Sequence, residues 1–459
     1  MVFSSLLFLF RFLPVCLLAY YLAPKRLKNL VLMLASLFFY AWGEVRYLPI
    51  MLASILVDYG CGQGLKRFPE NKAMRRFFLG LSMFFNLGML FFFKYTNFFL
   101  ENIGALTGLS FPQMGLTLPL GISFYTFQTM SYTIDVYLKK VEPEDNIIDF
   151  GAFVVLFPQL IAGPIVKYSD VAKELKSRRL TPDGLTEGVR LFIMGLGSKV
   201  LIANNVGALW TDVEGMALSA ISTPMAWLGA LAFSLQIYFD FSGYSLMAIG
   251  LGRMLGFNFP QNFNYPYTAV SITDFWRRWH MTLSSWFREY VYIPLGGNRA
   301  GTAKTIRNML IVWAATGFWH GASWNFVLWG LFFFVMLVLE KWVLAPFMDK
   351  HRLLSRVWVL FLLLLSWMLF AITDFSRLAE YFTRMFVFTG GSDWLYYLRC
   401  YGVSLLLGCV LSMPVLKKLY DKVLCRHPAV EMLLLAGVLL LSTAYLVDAT
   451  YNPFLYFRF

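Results

Sequence analysis

Phe3-Ser4-Ser5-Leu6-Leu7-Phe8-Leu9-Phe10-Arg11-Phe12-Leu13-Pro14-Val15-Cys16-Leu17-Leu18-Ala19-Tyr20-Tyr21-Leu22 carries a single charge, at Arg11. A helix of about 20 residues spans the hydrocarbon core of a bilayer. The run has no basic start and no small-residue cleavage site, so it reads as a first transmembrane helix rather than a cleavable signal peptide. Runs of this kind recur, with hydrophobic residues at 59% of the 459 positions and charged residues at 14%. Lipid offers no hydrogen bonds to a peptide backbone, so the composition predicts an all-α polytopic membrane protein.

The formal charge is +13. Lys and Arg cluster in short loops between apolar runs, the pattern of cytoplasmic loops facing anionic lipid, and no nucleic-acid partner is needed to explain it. Lys25, Arg26 and Lys28 follow the first helix, and Lys66, Arg67, Lys72, Arg75 and Arg76 come two helices later, which places the N-terminus outside. Helices are expected at 77–100 and 120–137. The stretch 147–166 has basic residues on both sides and is interrupted by Pro158, Gly163 and Pro164, so a re-entrant or broken element is expected there. Further helices are expected at 187–208, 224–251, 305–340 (two elements or one bent), 357–373, 396–415 and 430–448. Lys417, Lys418, Lys422 and Arg426 direct the last helix outward, so both termini are expected outside the cytoplasm. No repeat or soluble segment interrupts the chain, which reads as one domain over 1–459 with roughly 11 to 13 transmembrane and re-entrant helices. Cys16, Cys61, Cys400, Cys409 and Cys425 lie in or beside apolar runs without a CxxC pair and read as small core residues.

The most densely patterned stretch runs from Asn262-Phe263-Asn264-Tyr265-Pro266-Tyr267 through Ser271 to Tyr290. Phe275, Trp276, Trp279, Leu283, Trp286, Phe287 and Tyr290 fall on one side of a helix, and Arg277, Arg278, Ser285 and Arg288 on the other. Ser271 and Asp274 have capping spacing, so one helix is expected to start there, with His280 on the border of its apolar face. It can be an interfacial anchor whose arginines touch lipid phosphates, a basic entrance for a polyanionic donor such as a coenzyme A thioester, or both.

A second histidine lies in Thr316-Gly317-Phe318-Trp319-His320-Gly321-Ala322-Ser323-Trp324-Asn325-Phe326. Ionisable groups in apolar spans usually mark a site, although His320 can also be a neutral core residue packed by Trp319, Trp324 and Asn325. Two histidines 40 positions apart with no acidic cluster do not make a metal site. Without a GxSxG elbow or a P-loop, no in-chain serine nucleophile or ATP hydrolysis has support. What fits is a histidine general base that takes a proton from an acceptor hydroxyl as it attacks an acyl thioester.

Phe275-Trp276-Arg277-Arg278-Trp279-His280, Tyr292-Ile293-Pro294-Leu295-Gly296-Gly297-Asn298-Arg299 and Gly317-Phe318-Trp319-His320-Gly321-Ala322 resemble the signature of the membrane-bound O-acyltransferase family, MBOAT, most of all its bacterial alginate O-acetyltransferase branch. The resemblance extends from Val2-Phe3-Ser4-Ser5, through Leu118–Gln128, Phe157–Ile165 and Tyr238–Ser245, to Tyr451–Phe459. It implies a tunnel through the membrane, with His320 as the catalytic histidine and His280 as a second functional one. Trp276, Arg277, Arg278 and Arg299 would be donor-side contacts, with Asp240, Asn325 and Trp319 as supports. Lys167 can lie at the donor entrance or simply follow the positive-inside rule.

The resemblance further implies O-acetylation of a polysaccharide from cytoplasmic acetyl-CoA, with an extracytoplasmic partner of the SGNH hydrolase type, in the bacterial cytoplasmic membrane. D-alanyl transfer from a carrier-protein thioester is the alternative within the family, and a transporter or flippase the alternative outside it. A scaffold that docks a partner through the tail Phe454–Phe459 is a third. Leu246 stands where the alginate-type pattern continues with an aspartate, which leaves a carboxylate role there in doubt.

Overall fold

The computed structural model describes residues 1–160, 163–299, 301–423, 426–448 and 455. Cys425 and, Leu455 apart, the C-terminal run Tyr451–Phe459 lie outside them, as does most of the tail read as a docking element. Every regular element among the described residues is helical. Among the described residues, seven helical stretches are long and apolar enough to cross a membrane, beginning with Lys25–Arg67 and ending with Pro428–Asp448, and a shorter apolar helix covers Phe8–Leu22. This is a multi-pass membrane protein. The residues group into two compact units, Met1–Phe192 with Leu246–Pro260, and Ile193–Ser245 with Gln261–Phe459.

The first unit begins with α1 (Phe8–Leu22), α2 (Lys28–Glu44) and α3 (Leu48–Arg67). Then α4 (Lys72–Thr107) starts where the Asn71 side chain accepts the N–H groups of Ala73 and Met74, and it ends at Gly108 with φ +75°. That left-handed residue costs glycine nothing and stops the helix. After α5 (Ile122–Tyr137), the proline-interrupted stretch forms two short pieces, α6 (Ile147–Val155) and α7 (Phe157–Leu160), as its breakers predict. The Phe157 ring packs 5.4 Å from Phe12 and 5.6 Å from Phe39.

Sequence reading did not single out Asp58, yet it ties α3, α4 and α5 together. Its carboxylate is fully buried and accepts hydrogen bonds from Ser82 Oγ, from Thr133 Oγ1 at 3.1 Å and from Asn86 Nδ2 at 2.8 Å. Asn86 Oδ1 in turn accepts from Thr129 at 2.9 Å. Without those donors a carboxylate in an apolar interior would cost several kcal/mol, on the order of its lost hydration.

The chain next forms α8 (Tyr168–Lys176), α9 (Pro182–Gly215), which contains a π-helical stretch at Ser198–Ala203, and α10 (Thr223–Met254). In the second unit two short helices follow, α11 (Ile272–Trp276) and α12 (Met281–Phe287), then α13 (Thr302–His320), α14 (Trp324–Leu339) and α15 (Arg352–Ala371). The single helix expected from Ser271 onward is therefore corrected: it breaks at His280, whose φ is +42°. The expected cap is present, with Ser271 Oγ accepting the Asp274 N–H at 2.9 Å. A second cap comes from far along the chain, where the buried Glu340 carboxylate accepts the N–H groups of Ile272 at 2.6 Å and Thr273 at 3.1 Å.

An unexpected amphipathic helix, α16 (Phe375–Phe386), buries Leu378, Tyr381 and Met385, and α17 (Asp393–Leu411) and α18 (Pro428–Asp448) complete the unit. The reading of the cysteines as core residues is corrected at Cys400, which is exposed on α17. That helix turns much of its surface outward, as a lipid-facing helix does.

The stretch expected at 305–340 is two helices, α13 and α14, whose backbones meet at glycine. A Cβ on Gly330 would lie 2.3 Å from the Trp313 carbonyl oxygen, and one on Gly317 would lie 2.4 Å from the Phe326 carbonyl oxygen. Small residues permit this approach, and dispersion over the contact replaces the hydrophobic driving force that lipid removes. Gly330→Ala is expected to destabilise the protein by about 1–3 kcal/mol, read as a lowered Tm in detergent. Gly437→Ala, where the new Cβ meets nothing within 4 Å, is expected to leave Tm unchanged or raise it.

Candidate active site

The expected catalytic residues His280 and His320 both lie in the second unit, buried to 0% and 3% exposure. His320 is the last residue of α13, held where the glycine contacts bring α13 against α14. Its ring meets Trp319, Trp329 and Phe370 edge-on, with centroids 5.0, 4.9 and 5.5 Å away. Trp319 also lies 6.0 Å from His280, so one indole contacts both imidazoles. Such aromatic walls exclude water from the space around the rings.

His280 sits between α11 and α12 in the left-handed conformation, which a non-glycine residue adopts only when its surroundings impose it. The Asn262 carbonyl accepts the Met281 N–H at 3.0 Å, and Asn264 N–H donates to the Arg278 carbonyl at 2.9 Å, so residues 262–264 brace the turn. The Asn262 side chain contacts His280 Nδ1 at 3.0 Å, and Phe241 packs edge-on to the ring at 4.7 Å. His280 lies outside the seven long apolar helices, and burial pushes its pKa down to about 3, so the ring is neutral. Sequence reading placed Asn262 at the start of the patterned stretch but gave it no role. Its partner is 18 positions away, a spacing with no helical or strand signature.

Of the expected supports, Trp319 joins the two histidines. Asn325 acts through packing: its Nδ2 donates to the carbonyls of Leu369 at 3.3 Å and Phe370 at 3.0 Å, which holds the ring that lies against His320. The structure takes Asp240 elsewhere. Its carboxylate pairs with the buried ammonium of Lys199, in the π-helical stretch of α9, and accepts the Leu455 N–H at 2.7 Å. Neither imidazole is among its partners.

Of the expected donor-side residues, only Trp276 is buried, packed on Trp313 at 4.7 Å and Phe333 at 5.0 Å. Arg277 and Arg299 are exposed. Arg278 is held by Asp274 at 2.9 Å. The glycines of the Tyr292–Arg299 motif form a turn, with φ +105° at Gly296 and +56° at Gly297, and buried Asn308 donates to the carbonyls of Leu295 at 3.2 Å and Gly297 at 3.0 Å. Lys167 belongs to the first unit, where its N–H donates to Asp170 at 3.0 Å.

Trp276 lines a mainly apolar cavity of about 150 Å³ together with Phe287, Arg288, Tyr292, Trp313 and Thr316. Arg288 is exposed and Thr316 buried. Thr316 is one helical turn before His320 on α13. Sequence reading had put Arg288 among the arginines of a possible donor entrance but not among the named donor contacts, because periodicity assigns a face but not a cavity.

The family model described as MBOAT, membrane-bound O-acyltransferase family, matches residues 144–373. A protein of Azotobacter vinelandii described as a probable alginate O-acetylase is 41% identical over 399 residues, 86% of this chain and 79% of that protein. A probable alginate O-acetylase of Pseudomonas aeruginosa is 42% identical over 396 residues, 84% of this chain and 75% of that protein. A peptidoglycan O-acetyltransferase of Helicobacter pylori is 39% identical over 373 residues, 74% of this chain and 70% of that protein.

The buried Lys199–Asp240 pair generates a stability prediction. Asp240→Ala removes the carboxylate paired with the buried Lys199 ammonium and is expected to cost about 3–5 kcal/mol. The loss should appear as reduced folded yield and Tm, with much of it recovered in the double variant Lys199→Met, Asp240→Leu.

Proposed function

Because the chain belongs to the membrane-bound O-acyltransferase family and is an O-acyltransferase, we propose that it moves an acetyl group from cytoplasmic acetyl-CoA, through the histidine site, to an extracytoplasmic hydroxyl acceptor, for O-acetylation of a polysaccharide. The observation that carries this reading is the pair of buried imidazoles contacting one indole within aromatic walls. The acceptor hydroxyl attacks the thioester carbonyl carbon while His320 takes its proton. The C–O bond forms, the C–S bond breaks, and the proton returns to the leaving thiolate, so an ester and free coenzyme A result. Positioned general-base action of this kind typically contributes ~10²–10⁴ in rate.

His280 lies across Trp319 and orients the acceptor by accepting a hydrogen bond from a neighbouring hydroxyl. The cavity beside α13 suits the donor end of the path: its apolar wall fits the pantetheine arm and Arg288 fits a phosphate. The names of the relatives, alginate and peptidoglycan O-acetylating proteins, support a polysaccharide as the final acceptor. An SGNH-type acetyltransferase outside the membrane is the partner that would complete the transfer. The arrangement belongs in a bacterial cytoplasmic membrane with both termini outside, which the basic loops favour.

Purified protein in liposomes, given radiolabelled acetyl-CoA and an acceptor fraction, is expected to transfer label, and His320→Ala at equal folded yield to lose it by ~10²–10⁴-fold. No transfer by the wild type with acceptor present sinks the acetyl-CoA reading. Arg288→Ala is expected to raise KM for acetyl-CoA by about 10-fold or more with kcat nearly unchanged, since it removes a charge-assisted contact to a phosphate.

A further inference from the structure

We propose that Asn262 is a positioning residue that decides which nitrogen of His280 carries the proton, holding the ring with N–H on Nδ1 and a bare lone pair on Nε2. Its use in acyl transfer rests on the function proposed above; its geometry does not.

The orientation of the Asn262 amide follows from its partners. The backbone N–H of Thr282 can only donate, and it lies 3.4 Å from Oδ1, which also accepts from Thr282 Oγ1 at 2.8 Å. The other end, Nδ2, donates to Ser245 Oγ at 3.0 Å. His280 Nδ1 is 3.0 Å from that same Oδ1, and a carbonyl oxygen has no proton to give, so Nδ1 must be the donor. A neutral imidazole has one N–H, which leaves Nε2 as an acceptor. Among the described residues Nε2 is buried with no hydrogen-bond partner.

The same residue also holds the backbone of the turn, through its carbonyl and the Met281 N–H. Asn262 thus imposes both the left-handed conformation that presents the ring and the tautomer that the ring presents. Among the described residues, the side chains that contact the imidazole, Asn262, Phe241 and Trp319, and Thr282, which shares the Asn262 oxygen, carry no charge. The consequence for the reaction is specific: His280 can accept a hydrogen bond from a hydroxyl or a thiol, but it cannot donate one to an oxyanion.

The chain has four histidines, His280, His320, His351 and His427, so ring nitrogens labelled with ¹⁵N in nanodisc-embedded full-length protein can be assigned by single substitutions. His280 is expected as the neutral Nδ1–H form near pH 7; the Nε2–H form overturns the proposal. Asn262→Asp keeps the shape, and the Ser245 hydroxyl can turn to donate to the new oxygen, so the fold is expected to hold at unchanged Tm. The carboxylate stabilises the imidazolium, which raises the His280 pKa on the order of 1 to 3 units or more. Acetyl transfer by this variant is expected to gain an acid limb, with kcat at pH 5 below that at pH 8 by about two- to tenfold as the His280 pKa reaches about 5 to 6. A pH profile identical to the wild type's in a protein of the same Tm also overturns the proposal. If the wild type transfers no acetyl at all, the acyl-transfer reading fails while the NMR result still decides the role of Asn262.

Discussion

Hydrocarbon offers no hydrogen bonds, so each polar group that this chain carries into its interior must find its partner within the chain. Four arrangements among the described residues illustrate that constraint. Asp58 is satisfied by donors from two other helices, and Lys199 by the carboxylate of Asp240. Glu340 closes the exposed N–H groups at the start of α11, and Asn262 takes up His280 Nδ1 and the two Thr282 donors at once. Each costs desolvation and repays it with geometry, because a group that must be bonded has few positions in which it can be.

Glycine and aromatic rings do the remaining placement. The Gly317 and Gly330 contacts let α13 and α14 approach backbone to backbone, which sets the end of α13 and with it His320. Around that end the rings of Trp319, Trp329 and Phe370 meet the imidazole edge-on. A thioester brought into such a space, as the proposed transfer requires, would be shielded from water. At the edge of the neighbouring cavity the exposed Arg288 supplies a charge.

Much of this was legible before any coordinates. Long apolar runs announce membrane helices because helix length and bilayer thickness match, and Pro158 marked the broken element α6–α7 because proline removes a backbone donor. Ser271 announced the start of α11, and the motifs around His280 and His320 singled out two histidines that the structure buries in the same unit. The break at His280 was not legible. Its cause is Asn262, and helical periodicity scores side-chain faces, not a hydrogen bond from 18 positions away that holds one residue in the left-handed region. Helix α16 escaped for a related reason: its apolar residues form one stripe rather than a run, so nothing in it resembles a span.

The sequence by itself determined the class of the protein, the approximate positions of its spans, and which residues are candidates for chemistry, since these depend on composition, length and local spacing. Only the tertiary structure decided which of the basic residues lines a cavity, that Asp240 answers to Lys199, and which nitrogen of His280 is bare. Those outcomes depend on distances between residues far apart in the chain, and the need to satisfy buried polar groups selects among them only once the helices are packed.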